Sequence, residues 1–77
     1  MLVDLEDVSR TVGLVLGRRD VKPDQRLIED LGAESADILN IVVTLEDKYR
    51  IRIEDTAATG VVTVRDLHDV VANITHG

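Results

Sequence analysis

The run Leu31-Gly32-Ala33-Glu34-Ser35-Ala36-Asp37 places one hydroxyl after a glycine-containing turn, between two acids, where an apolar helical pattern begins. A serine at a helix start stands among backbone N–H groups that have no intrahelical acceptor. Those donors and the positive end of the helix dipole favour negative charge, so a phosphoryl group esterified to Ser35 would be well placed. The plainer reading is that Ser35 is an N-cap, a role that serine fills well and whose loss costs about 1 kcal/mol. Little else in the chain could do chemistry. His68 and His76 are the only histidines, one beside an apolar stripe and the other one residue from the end of the sequence. They read as a boundary residue and a frayed tail, since no second ligand set with metal-like spacing accompanies them. The acid pairs Glu46-Asp47 and Asp30…Glu34 read as solvated helix surfaces, not an acid–base dyad. No glycine-rich phosphate loop or nucleophile elbow is present. The sequence offers no catalytic residue and no metal site.

The elements that would position Ser35 can be read from apolar spacing. Leu5, Val8, Val12 and Val15 form one stripe over a first helix of about Asp4 to Gly17, with Gly17-Arg18-Arg19 as its stop. Asp20 to Arg26 is a long polar connection holding the only proline, and Leu27, Ile28 and Leu31 should pin it to the core. A second helix is predicted over Ser35 to Tyr49. Its core stripe is Ile38, Ile41, Val42, Leu45 and Tyr49, and Asp37, Asn40, Thr44 and Asp47 lie opposite. Leu39 and Val43 fall between the two faces, which leaves at least one of them exposed. Val43 lies about 140° from the centre of the stripe and is expected in solvent.

Tyr49 to Glu54 alternates like a strand but has no partner strand, so it reads as an extended connector. Asp55 to Val61 should hold a short helical turn. The last helix should begin at Thr63, where Thr63-Val64-Arg65-Asp66 resembles a capping box with Asp in place of Glu. Val64, Leu67, Val71 and Ile74 form its stripe, with Val70 beside it. The expected fold is all-α: a small bundle of three main helices and one short turn, with a long loop between the first two.

Seventy-seven residues make one domain, 1–77. Leu, Ile and Val number 27 with no Phe or Trp, so the core must be aliphatic with Tyr49 as its only ring. Without cysteine there is no disulfide and no thiol of the chain's own. Fifteen acids against nine bases give a net charge of −6, the wrong sign for nucleic acid and the right one for basic patches on proteins. No apolar run is long enough to span a bilayer, and the acidic start lacks the bases of a secretion signal. The expected location is the cytoplasm.

The segment from Leu27 to Asp37 resembles the attachment motif of acyl carrier proteins, in which an Asp-Leu-Gly-Ala run ends in Asp-Ser. The likeness continues through Ile41 to Tyr49, where the family has an apolar run, Leu-Glu-Glu and an aromatic. It continues in Ile51-Arg52-Ile53 and in Val62-Thr63-Val64-Arg65-Asp66-Leu67, the family's connector and its entry to the last helix. The resemblance implies that Ser35 bears 4′-phosphopantetheine as a phosphodiester. The arm would supply the thiol that the chain lacks, so that acyl or polyketide intermediates travel as thioesters. It also implies a monomer that meets a phosphopantetheinyl transferase and acyl-transferring, ligase or synthase enzymes with basic docking patches. The partner face would comprise Glu34, Asp37, Asn40, Val43 and Asp47.

Departures from the family pattern point to a specialised carrier. Glu34 replaces the usual Asp, Ala36 the usual Leu and Asn40 a usual Glu, and Lys48, Arg50 and Arg52 stand where acids or glycine are common. Two alternatives share the fold: an aminoacyl or peptidyl carrier, and an unmodified helical docking domain in which Ser35 is only a cap.

Overall fold

The computed structural model describes residues 2–76, the side chain of His76 excepted, so the reading of His76 lies outside the described residues. Helix α1, Leu5–Leu16, starts where the Asp4 carboxylate accepts the Glu6 N–H at 2.9 Å. It stops at Gly17, whose left-handed φ of 68° suits a residue without Cβ. Val8 and Val12 of the expected stripe are fully buried, and Leu5 and Val15 are half-buried. Gly13 has a different task. A Cβ there would lie 2.7 Å from the Arg18 carbonyl, so its absence lets the chain fold back along α1.

The loop from α1 to α2 is tied to the far end of the sequence by backbone. Leu27 N–H donates to Val62 O at 2.9 Å, Val64 N–H to Gln25 O at 3.2 Å, and Arg65 N–H to Pro23 O at 2.9 Å. Arg26 and Thr63 form a single antiparallel bridge. Leu27 and Leu31 are buried as expected, but Ile28 is 62 % exposed and pins nothing. Adjacent side chains in this tight turn point apart, and the core takes Leu27. Arg26 also holds the turn through Glu29 at 2.7 Å and Asp30 at 3.3 Å. Asp30 therefore lies in a loop, not on the helix surface expected for it. The Arg26 backbone N–H and guanidinium hold its carboxyl below the usual carboxylate range.

Helix α2, Ser35–Tyr49, buries Ile41, Leu45 and Tyr49 and half-buries Ile38 and Val42. The ring of Tyr49 closes one end of the aliphatic core, and burial, then Asp7 and Asp4, push its hydroxyl above the ordinary tyrosine value. The chain reverses at Arg50, with φ 55°. The connector that follows contains no strand, as expected, and leads to α3, Asp55–Ala58. Glu46 is not merely solvated: its carboxylate accepts the Ile53 N–H at 2.7 Å and so anchors this connector.

Helix α4, Val64–His76, opens on a reciprocal capping box. Thr63 Oγ1 accepts the Asp66 N–H at 3.2 Å, and Asp66 Oδ2 accepts the Thr63 and Val62 N–H groups at 3.0 and 2.9 Å. Val64, Leu67 and Val71 are buried. Helix α1 packs against both α2 and α4. His68 does more than border the core: its Nε2 meets Val3 O at 3.0 Å and its Nδ1 meets Asp69 Oδ1 at 3.0 Å, tying the start of the chain to α4.

Candidate functional site

The approach to Ser35 is fixed from behind. Ala33 is buried and donates its N–H to Leu27 O at 2.9 Å. Gly32, with φ 69°, supplies the left-handed turn just before it, and its N–H reaches Ile28 O at 3.0 Å. The chain then emerges at Glu34 in an extended conformation, φ −97° and ψ 171°, and turns into α2.

Glu34, not Ser35, is the N-cap. Its N–H donates to Asp37 Oδ2 at 2.9 Å, the half of a capping box in which the third helical residue reaches back. The register follows from the core. Once Ala33 is buried and bonded to Leu27, the chain turns at the next residue, and Ser35 becomes the first helical one. Ser35 is exposed, and its hydroxyl makes no hydrogen bond among the described residues. It is therefore free of any structural task. Asp37, half-buried, spends one carboxylate oxygen on the clamp that holds this corner.

A cleft of about 250 Å³ opens beside the hydroxyl, lined by Ser35, Ile38, Leu39, Val42, Ile53, Asp55, Ala58 and Thr59. It runs between α2, the connector and α3. A second cleft of about 150 Å³ lies behind Ile38, Val42 and Ala58, which line both, and reaches Leu27, Val61 and Leu67. Leu39 and Val43 are both exposed, at 64 % and 53 %. Ser35, Leu39 and Val43 stand at i, i+4 and i+8, one ridge along α2. That spacing was the signal for Leu39, which the expected partner face left out. Of that face, Glu34, Asn40 and Asp47 are exposed with Val43. Asp55 and Thr59 reach the cleft through a connector whose path no periodicity reveals.

An exposed helix-start serine with no structural task, beside an apolar cleft, suits the attachment of a flexible charged arm. The family model described as "Phosphopantetheine attachment site" matches residues 6–71. The chain belongs to the acyl carrier protein family. It is 43 % identical over 54 residues to an acyl carrier protein of Helicobacter hepaticus, covering 70 % of this chain and 71 % of that one. It is 40 % identical over 55 residues to an acyl carrier protein of Sulfurovum sp., covering 71 % and 73 %. A solved structure of a candidate acyl carrier protein from Mycobacterium tuberculosis superposes with a TM-score of 0.84 at 30 % identity, over 90 % of this chain and 95 % of that one. As acyl carrier proteins are, it is a carrier and not a catalyst, and its prosthetic group is covalently attached 4′-phosphopantetheine. The all-α bundle with its long first loop is the family's fold.

Proposed function

We propose that the 4′-phosphopantetheine arm is esterified to Ser35 and that the 77 residues act as one specialised carrier domain for acyl or polyketide intermediates. The observation that carries this is the exposed Ser35 hydroxyl, which has no hydrogen-bond partner among the described residues and stands on the first residue of α2. A phosphodiester there is favoured by the unpaired N–H groups of the first turn and by the helix dipole. When bound, the arm supplies the thiol on which cargo is held as a thioester. The chain's own residues position it: Asp37 clamps Glu34, the buried Ala33 holds the corner from behind, and the cleft edged by Leu39, Asp55 and Thr59 offers the arm an apolar wall.

Glu34, Asp37, Asn40, Val43 and Asp47 form the face that a phosphopantetheinyl transferase and acyl-transferring, ligase or synthase partners approach with basic patches. Charge of this kind raises encounter rate more than affinity. Transient docking to several partners suits a monomer, and the cytoplasm is where such a carrier would work. Among the described residues, no helix is long and apolar enough to cross a membrane.

Intact mass after incubation with a phosphopantetheinyl transferase and coenzyme A tests the reading. Wild type should gain one phosphopantetheine, and Ser35→Ala none. A wild-type chain left unmodified by several transferases would instead identify an unmodified docking domain.

A further inference from the structure

The turn that leads into Ser35 closes on one exposed side chain. The Asp30 and Leu31 N–H groups both donate to Arg26 O at 3.0 Å, Gly32 N–H donates to Ile28 O at 3.0 Å, and Ala33 N–H to Leu27 O at 2.9 Å. Two donors remain at the start of the turn. Arg26 N–H reaches Asp30 Oδ2 at 2.7 Å, and Leu27 N–H reaches Val62 O at 2.9 Å. The guanidinium of Arg26 then folds over the same turn. Its Nε and Nη2 donate to the two carboxylate oxygens of Asp30, each at 3.3 Å, and its Nη1 lies 2.7 Å from Glu29 Oε2. All three guanidinium nitrogens thus engage acids of one turn, a grip that only a planar fork can make.

Stability of the fold does not account for this grip. The Arg26 and Glu29 side chains are 52 % and 55 % exposed, and pairs so open to water stabilise a protein little. Burial already anchors the turn at Leu27, Leu31 and Ala33. Between those anchors Ile28, Glu29 and Asp30 are exposed, and none of the three packs on the core. Apart from Arg26, the side chain that reaches them is Arg18, whose Nη1 donates to Asp30 O at 3.3 Å. Yet Ile28 O is the acceptor that holds Gly32 N–H, and Gly32 makes the left-handed turn from which Ser35 emerges. The place of one unpacked carbonyl therefore bears on the place of the Ser35 hydroxyl.

We infer that Arg26 is a positioning residue for the loading of Ser35: its fork on Asp30 and Glu29 fixes the Ile28 carbonyl under Gly32 N–H, and so sets the corner that presents the hydroxyl. This inference rests on the carrier reading above. In loading, the Ser35 oxygen bonds to the phosphorus next to pantetheine in coenzyme A. The diphosphate bridge breaks, the adenine nucleotide half leaves with the bonding pair, and the hydroxyl proton passes to the transferase. Such an attack depends on where the oxygen stands, and a misplacement of about 1 Å can cost on the order of 100-fold. Arg26 acts only through Asp30, Glu29 and the turn.

The test follows loading of the full chain by a phosphopantetheinyl transferase and coenzyme A, in single turnover, by intact mass. Arg26→Gln should lower the rate at saturating transferase about fivefold, with half-saturation and Tm little changed. Arg26→Lys should fall as far, because an ammonium keeps the charge but cannot fork onto both acids. Both losses should persist in high salt, where effects of exposed charge are screened. A lysine variant that loads like wild type, or a glutamine variant altered only in half-saturation, would assign Arg26 a charge effect and overturn positioning. A second measurement needs no transferase. In the unmodified chain, the Gly32 and Ala33 amides should exchange about tenfold faster in Arg26→Gln, while those of Ile41 and Leu45 keep their wild-type rates. Unchanged loading by Arg26→Gln, or unchanged exchange at Gly32 and Ala33, would overturn this inference and leave the carrier reading intact. A wild-type chain that no transferase loads would sink the carrier reading, and this inference with it.

Discussion

Replacing Ser35 by alanine should abolish the mass gain yet leave the fold as stable as before, and the structure sets the size of that null effect. An N-cap serine would cost about 1 kcal/mol to lose. Here the cap is Glu34, and the Ser35 hydroxyl bonds nothing among the described residues. What remains is helix propensity at an exposed position, which favours alanine by a few tenths of a kcal/mol. For a domain of this size 1 kcal/mol moves Tm by about 4–8 °C. Ser35→Ala should therefore hold Tm within about 2 °C of wild type, with any change upward. Asp37→Ala is the contrast. It removes the acceptor of the Glu34 N–H at 2.9 Å and the acid of the first turn. Together these are worth about 1 kcal/mol, so Tm should fall by several degrees. Thermal unfolding of the two variants, followed by circular dichroism, reads both. A fall of 4 °C or more for Ser35→Ala, with Asp37→Ala silent, would show that the cap belongs to Ser35 and that the helix register is wrong.

Val43→Asp should change stability by no more than about 0.5 kcal/mol, since Val43 is 53 % exposed, yet weaken partner binding as measured by titration calorimetry. Glu46→Ala leaves the part-buried Ile53 N–H without its acceptor. Urea unfolding should show a loss of about 1–3 kcal/mol, and the Ile53 amide should exchange faster. The Thr63 and Val62 N–H groups hold the Asp66 carboxyl below the usual carboxylate range. A depressed folded value means stability that is present above the unfolded pKa of about 4 and lost as pH falls through the folded one. Asp66→Asn should thus lower stability at neutral pH and flatten the acid limb of its pH profile.

Much of this was legible because helices announce themselves by period. The stripes of α1, α2 and α4 found the core, and the Thr63–Asp66 box and the Gly17 stop stood where expected. What spacing missed was contact across the chain. Ile28 looked like Leu27 by type, but the backbone bonds from Leu27 to Val62 and Ala33 fix which of the two faces inward. Glu46 reaches Ile53 only because Arg50 reverses the chain, and His68 meets Val3 across 65 positions. Neither pairing leaves a periodic trace. The bounds of α2 fell where the spacing put them, and only the plainer reading of Ser35 as the cap fails: serine is the better cap by type, but the burial of Ala33, a tertiary fact, gives that role to Glu34.

Helix α3 has four residues, none of them buried, yet it forms one wall of the cleft beside Ser35. Segments with so little buried surface open at a small fraction of the global unfolding free energy. The opposite wall belongs to α2, which is packed on α1. In kinetic terms the molecule divides along this cleft. Amides of residues 55–58 should exchange fast, while those of Ile41, Leu45 and Val71 wait for global unfolding. An arm at Ser35, as proposed above, would leave from the seam between a well-buried part of the protein and a thinly buried one, so that one wall could yield to different cargoes while the attachment point stays still.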